Sequence, residues 1–418
     1  MNEDPRKLAP TGLGKDVIVA TIPDTARVVE TAPAKEPQTP AEWIRQNLFS
    51  GPVNSLLTVV AAALLIFLLY RAFGFVFLNS DWRVIQVRMK GYMVGSFPLE
   101  EAWRVWVSLY LVVALAGFSS GRAVRIPRGR TAIAGAIAVT VAIVIVGYTA
   151  QSALVRLLAA GAPGVFIVSN VVGRHVPPRT MRRIRLWGWI VIFPLVMVIV
   201  RGFDGVPPRL WGGLFFNLVA ASVGIFASFP IGIALALGRR SSLPAVRVFS
   251  VVVIEVFRGV PLVAWLIFSK FIVDLLLPPQ VDLPDIIKAF VVMTMFSAAY
   301  IAEIIRGGIQ GVHPGQYEAA RALGLPTTRM MAFIILPQAL RATIPAMISH
   351  FISLFKDTAL FSAIAITELL EASKRLGLDF IGQEAQTLVF AGLMFWTIAF
   401  SMSRWSQRLE LRLGVGER

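Results

Sequence analysis

The chain has 418 residues, 56% of them hydrophobic and only 15% charged, with a mean hydropathy of +0.71. A soluble domain carries about a quarter charged residues, so this composition excludes an ordinary soluble globule and fits an all-α polytopic membrane protein. The absence of cysteine excludes a disulfide framework, and the net charge of +16 is scattered over short inter-span loops rather than forming the basic stripe of a nucleic-acid-binding face.

Taken in order, residues 1–40 are rich in Pro, Ala, Thr, Glu and Lys, lack periodicity and read as a disordered cytoplasmic tail without the apolar core of a cleavable signal peptide. Residues 41–49, AEWIRQNLF, are amphipathic and suit the membrane surface; Gly51-Pro52 then turns the chain inward. A span needs about 20 apolar residues. That ruler predicts about ten spans, at residues 53–78, 102–120, 131–149, 154–172, 186–200, 212–237, 248–277, 286–309, 337–355 and 388–405. The fourth is interrupted by Gly161, Pro163 and Gly164, and residues 79–100 read as a polar loop.

Orientation follows from charge. Arg122, Arg125, Arg128 and Arg130, the run RHVPPRTMRRIR at 174–185, Arg239-Arg240 and the C-terminal Arg404, Arg408, Arg412 and Arg418 mark cytoplasmic segments. The alternate loops carry Asp204, Asp282, Asp285, Glu368, Glu371, Asp379 and Glu384. Both termini are then expected inside, and the loop 311–336 faces the cytoplasm. The chemistry divides the chain into a tail (1–40), an N-terminal membrane extension of about five spans (41–205) and a five-span block (206–418), with no sequence repeat between the two membrane blocks. The three histidines, His175, His313 and His350, are too scattered for a metal site. Trp82, Trp103, Trp187, Trp211 and Trp405 sit near predicted span ends, as in an aromatic belt.

Within 311–336, residues 316–323 combine strong helix formers, Gly324 suits a left-handed cap and Pro326 prevents continuation. Ala319, Ala320 and Ala322 keep the helix slim for close approach to a partner, and Glu318 is expected in its first turn, free to pair with an arginine. In the spans, Glu255 and Arg258, like Glu303 and Arg306, stand three apart and can neutralise each other on one helix face. Lys356-Asp357-Thr358, with Ser353 one turn earlier, offers the donor and acceptor that an amino acid's carboxylate and ammonium require; a charged cap at the outer interface is the plainer reading. Gly259, Pro261, Gly307 and Gly308 permit broken or closely packed helices.

The spacing Glu318-Ala319-Ala320, three residues, Gly324, nine residues, Ile334, one residue, Leu336-Pro337 resembles the cytoplasmic loop signature of ABC importer permeases. SAAYIAEIIRGGIQGVHPGQYEAARALGL (297–325), FRGVPL (257–262) and LFKDTAL (354–360) are similar to the polar amino acid uptake subfamily over roughly residues 208–410. The extended N-terminus looks like the larger permease subunit of general L-amino acid, or glutamate/glutamine/aspartate/asparagine, systems. His313-Pro314 stands where that subfamily has Pro-Lys.

The resemblance implies a type I importer core that transports L-amino acids across a bacterial inner membrane. Its implied partners are separate ATP-binding cassette ATPase subunits docked on the helix around Glu318, a second permease subunit in a heterodimer and an extracytoplasmic amino-acid-binding protein. ATP and Mg belong to the ATPase, and the chain binds no cofactor: it has no Gly-x-x-x-x-Gly-Lys-Ser/Thr phosphate loop. The alternatives are a self-sufficient, ion-gradient-driven secondary amino acid transporter or channel, expected to carry matching repeats, and a membrane enzyme, for which Glu368, Glu371, Asp379 and Glu384 form the lone acidic group and read as a solvated outer loop.

Overall fold

The computed structural model describes residues 39–121, 153–278, 280–281, 283–380 and 382–413; the span expected at 131–149, Arg122, Arg125, Arg128, Arg130, Asp282 and Arg418 lie outside them, as does nearly all of the expected tail. The chain divides into two units, Met1–Asn79 and Ser80–Arg418.

In the first unit, Thr39 and Glu42 form a reciprocal capping box that starts α1 (Pro40–Leu48), the expected amphipathic helix with Trp43, Ile44 and Leu48 exposed. Pro52 opens α2 (Pro52–Phe73), which continues as a π-helical turn at Gly74–Asn79 and is long and apolar enough to span a membrane.

The second unit contains α3 (Arg83–Val94), α4 (Ala102–Ser120), α5 (Ala153–His175), α6 (Pro178–Arg201), α7 (Gly213–Gly238), α8 (Pro244–Gly259), α9 (Leu262–Phe271), α10 (Asp285–Gln310), α11 (Pro314–Ala322), α12 (Leu336–Asp357), α13 (Leu369–Leu378) and α14 (Glu384–Leu413). Among the described residues of the whole chain, eight helices satisfy the length and apolarity of a span, or nine if α8 and α9 count as one.

Several expectations change. The polar loop 79–100 contains α3, whose Val84, Ile85, Met89 and Tyr92 are buried with Leu369 and Ala391. The basic run before the fifth span lies largely on the first turns of α6, because Pro178 starts the helix early. The single span expected at 248–277 is broken: α8 and α9 meet at 101° around Val260 and Pro261, where proline has no N–H to continue the ladder. The segment after residue 357, expected as a loop, is a short 3-10 helix (Thr358–Ile364) followed by α13. Trp211 belongs to the core rather than a belt; its ring N–H donates to the Val206 carbonyl at 3.0 Å.

The core is built around α7 and α10, which pack against each other along their length. Small side chains allow this: Ala298 and Ala302 on α10 are fully buried, and Ile301 lies directly over Gly232 of α7. α12 packs on the other flank of α10, with Gly308 against Ala339 and Thr343. One apolar cluster, including Phe216, Leu266, Met293 and Phe361, fills one end of this bundle; a second, including Ile254, Ile305, Ile309, Ala320 and Ile335, fills the end that carries α11.

Candidate coupling surface and transport face

α11 is anchored on one face and open on the other. The His313 ring nitrogen accepts the Gly315 N–H at 3.1 Å, and Pro314 occupies the first helical position. At the other end Gly324 adopts φ +69°, its N–H donates to Arg321 O at 2.9 Å, and the Leu325 N–H reaches back to Ala320 O at 3.1 Å. This double bond pattern terminates the helix as the sequence predicts. Ala320 is buried against the core, whereas Ala319 and Ala322 are exposed, so only two of the three alanines are open to a partner. The Tyr317 hydroxyl donates to Ile309 O at 3.0 Å and ties α11 to the end of α10. Glu318 lies in the second turn, not the first, because the helix starts at Pro314. It is exposed, as is Leu323 at the C-terminal end of the helix. Leu336 and Pro337 open α12, after a π-helical turn at Met331–Ile335.

The four ionisable residues of the spans form one cluster at this end, with a different pairing from the expected one. Glu303 does bind Arg306, at 2.8 Å, but Glu255 and Arg258 do not pair with each other. Glu255 accepts from Arg239 at 3.1 Å, and Arg258 reaches across to Glu303 at 3.5 Å. Arg239, at the end of α7, also binds Glu303 at 2.6 Å. Adjacent α8 side chains diverge once a third helix offers a nearer partner, and Glu303 becomes the acceptor for three arginines.

At the other end of α12 the triplet separates. Lys356 and Ser353 are exposed and Asp357 is half-buried, but Thr358 is fully buried. Its hydroxyl donates to Phe355 O at 2.6 Å and accepts from Asn217 Nδ2 at 2.9 Å. Asn217 also donates to Glu368 at 3.0 Å and accepts the Leu369 N–H at 3.0 Å. Glu368, expected in a solvated loop, is fully buried and caps α13 by accepting the Leu370 and Glu371 N–H groups at 2.8 Å each. Burial raises its pKa above the ordinary 4.5, outweighing the hydrogen bonds from Asn217, Leu370 and Glu371 that act the other way.

Sequence reasoning missed Arg239, Asn217 and Glu368 as organising residues. It also missed His350, whose Nε2 lies 2.9 Å from Ser297 Oγ, itself 3.0 Å from Ser228 Oγ. A polar residue isolated inside an apolar run, as Asn217 and His350 are, was the available signal.

A close-packed bundle of membrane-length helices, one of them broken, that presents an anchored helix at one end is the arrangement of a polytopic membrane permease. Residues 228–415 match the family described as "Binding-protein-dependent transport system inner membrane component". The inner membrane amino-acid ABC transporter permease protein YhdY of Escherichia coli (strain K12) is 33% identical over 396 residues, 90% of this chain and 93% of that protein. The glutamate/glutamine/aspartate/asparagine transport system permease protein BztC of Rhodobacter capsulatus is 32% identical over 423 residues, 89% of this chain and 93% of that one. A crystal structure of an amino acid ABC transporter with histidines aligns with 48% of this chain and 92% of that chain at 28% identity and a TM-score of 0.44. The chain belongs to the family of inner-membrane components of binding-protein-dependent transport systems, the ABC transporter permeases. It is a transport subunit of the membrane rather than an enzyme, and nothing in the relatives favours a gradient-driven carrier.

Proposed function

We propose that this chain is the permease subunit of an importer of L-amino acids, driven by separate ATPase subunits that dock on α11. The observation that carries the reading is the two-sided character of α11. Ala320 and Tyr317 fix it to the core while Glu318, Ala319, Arg321 and Leu323 face outward. A force applied to that outer face passes directly to α10 and α12, since Ala320 shares a cluster with Ile309 and Ala339. The partner ATPase supplies ATP and Mg; an extracytoplasmic binding protein delivers the amino acid. The names of the relatives, amino-acid permeases in both cases, support the cargo class.

In this reading residues 206–418 form the transporting core and 41–205 an extension, both termini are cytoplasmic, and a second, shorter permease completes a heterodimer. Ser349, Ser353 and Lys356 recur at helical spacing on one exposed face of α12, with Asp357 beside them, and form the wall past which the amino acid moves. Glu255, Arg258, Glu303 and Arg306 lie at its inner end as a gate whose ion pairs rearrange when α8, α10 and α7 shift.

The test is to replace Glu318 with Ala, and Gly324 with Val, in the assembled complex. Uptake should fall about tenfold or more while ATP hydrolysis persists or the ATPase separates from the membrane subunit. Normal uptake with normal ATPase association in both variants would remove the coupling role.

A further inference from the structure

α3 precedes the spans α4, α5 and α6 in the chain, yet it is seated on the core. Its start is tied to the segment between α13 and α14: the Val84 N–H donates to Gln383 Oε1 at 3.3 Å, and Gln383 Nε2 donates to Asp81 Oδ2 at 3.3 Å. Its middle packs on both helices, with Val84, Ile85, Met89 and Tyr92 against Leu369 and Ala391, and the Tyr92 ring edge-on to Phe390 at 5.1 Å. Its end meets α7 backbone to backbone. Gly95 adopts φ +61°, and a Cβ there would stand 2.6 Å from Gly212 Cα. From this point the contacts continue without a gap. The Gly213 N–H donates to Thr367 O at 3.0 Å, the next residue Glu368 accepts from Asn217, and Asn217 donates to Thr358, the neighbour of Asp357. This run starts where α7 starts, whereas the other end of α7 packs in the cluster that holds α11.

We propose that α3 is a positioning helix for transport: seated on α7 and α13, it fixes where α12 ends and so where Asp357 stands on the transport face. The proposal rests on the reading that α12 lines the path of the amino acid. Two features separate this role from the mere covering of apolar surface. The contact of Gly95 with Gly212 is between main chains, which have no rotamers to absorb a displacement, so α3 cannot shift without moving the start of α7. The links from Gly213 to Thr358 are hydrogen bonds and a peptide bond, and Asn217, Glu368 and Thr358 are each fully buried, so the network holds one arrangement. A helix that only covered α13 would need neither. The transporting core therefore includes α3 in function, although α4, α5 and α6 stand between them in the chain.

The chain has no cysteine, so Leu243→Cys and Lys356→Cys place one spin label between α7 and α8 and one at the end of α12. The distance between them is measured in the full chain in detergent. Gly95→Ala forces α3 away from Gly212, and Gln383→Ala frees its start. Both should shift or broaden the distance distribution, whereas Leu99→Ala, at an exposed site, should leave it as in wild type. In the assembled transporter both variants should raise KM for amino acid uptake roughly tenfold, the equivalent of one charged hydrogen bond lost to the cargo, with the ATPase still bound. A purely structural α3 would lower the yield of folded protein and the maximal rate but leave KM and the distance unchanged, and that result overturns the proposal. An unchanged distance in Gln383→Ala overturns it even where Gly95→Ala does not fold. A shifted distance with an unchanged KM overturns the role in transport as well. Absence of uptake by wild type would instead remove the importer reading, and the distance measurement would then decide on α3 alone.

Discussion

Arg239 Nη1 lies 2.6 Å from Glu303 Oε1, so a guanidinium at the end of α7 is fixed to a carboxylate in α10. The same nitrogen is 3.1 Å from Glu255, which brings α8 into the contact. Three helices therefore meet through one cation, and Glu303 in turn serves Arg306 and Arg258. The Glu303 side chain is 14% exposed and that of Glu255 is 55% exposed, so the two carboxylates are not equivalent.

Glu303→Gln leaves three arginines around a neutral amide in a partly shielded site. Its cost should be about 2 kcal/mol, between that of breaking a fully buried pair and that of a surface pair. Glu255→Gln should cost less than about 1 kcal/mol, since water already solvates that carboxylate. Thermal unfolding in one detergent compares them. Equal shifts would mean that Arg239 does not depend on Glu303.

This pairing marks the limit of what the amino-acid order reveals. Glu303 and Arg306 are adjacent on one helix, and their contact was legible from spacing alone. Glu255 and Arg258 have the same spacing, yet each finds a partner on another helix, which no local pattern encodes. The same division runs through the fold. α11 and its Gly324 cap could be read because a cap is a local event. The bend at Pro261 was written in the sequence, but apolarity on both sides concealed that it breaks a span. Glu368 looked like a loop carboxylate because its partner Asn217 lies 151 residues away.

Helix packing supplies a second comparison. A methyl group on Gly308 would meet Ala339 O at 2.8 Å and collide with Thr343 Cγ2, whereas one on Gly307 would meet nothing within 4 Å. Gly308→Ala should force α10 and α12 apart at a cost of about 1–3 kcal/mol. Gly307→Ala should stabilise the helix by up to about 1 kcal/mol, by limiting the freedom of the unfolded chain. Opposite shifts in melting temperature are expected. A loss from both would show that Gly307 also faces a close neighbour in the assembled transporter.

The buried carboxyl of Glu368 carries a pH dependence. Its folded pKa is raised, so the folded state holds the proton more tightly than the unfolded state does. The stabilisation is complete below the unfolded value near 4.5 and is lost as pH rises through the raised folded value. Glu368→Gln keeps a cap acceptor but cannot titrate. The stability difference between wild type and Glu368→Gln should therefore move against wild type as pH climbs above about 4.5, and level off once pH exceeds the raised folded value. Melting curves of both proteins across that window provide the measurement. A difference independent of pH would mean that Glu368 has the same proton affinity folded and unfolded.

Asp357 and Thr358 are chain neighbours with separate tasks, and substitution can distinguish them. Asp357 is half-buried beside exposed Lys356, while Thr358 is turned into the core and bonded to Asn217. Asp357→Asn keeps the shape and removes the charge. If the carboxylate holds the ammonium of a passing amino acid, one charged hydrogen bond of about 1.5–3 kcal/mol is lost, and KM for uptake should rise roughly tenfold to a hundredfold. ATPase association and melting temperature should stay close to wild type. Thr358→Val should do the reverse, because it leaves the buried Asn217 amide one acceptor short: a lower melting temperature by about 1–3 kcal/mol of stability, with KM little changed in the folded fraction. Should Asp357→Asn transport normally, Asp357 serves only as a charged end to α12, and the amino acid must be held elsewhere along the face that carries Ser349 and Ser353.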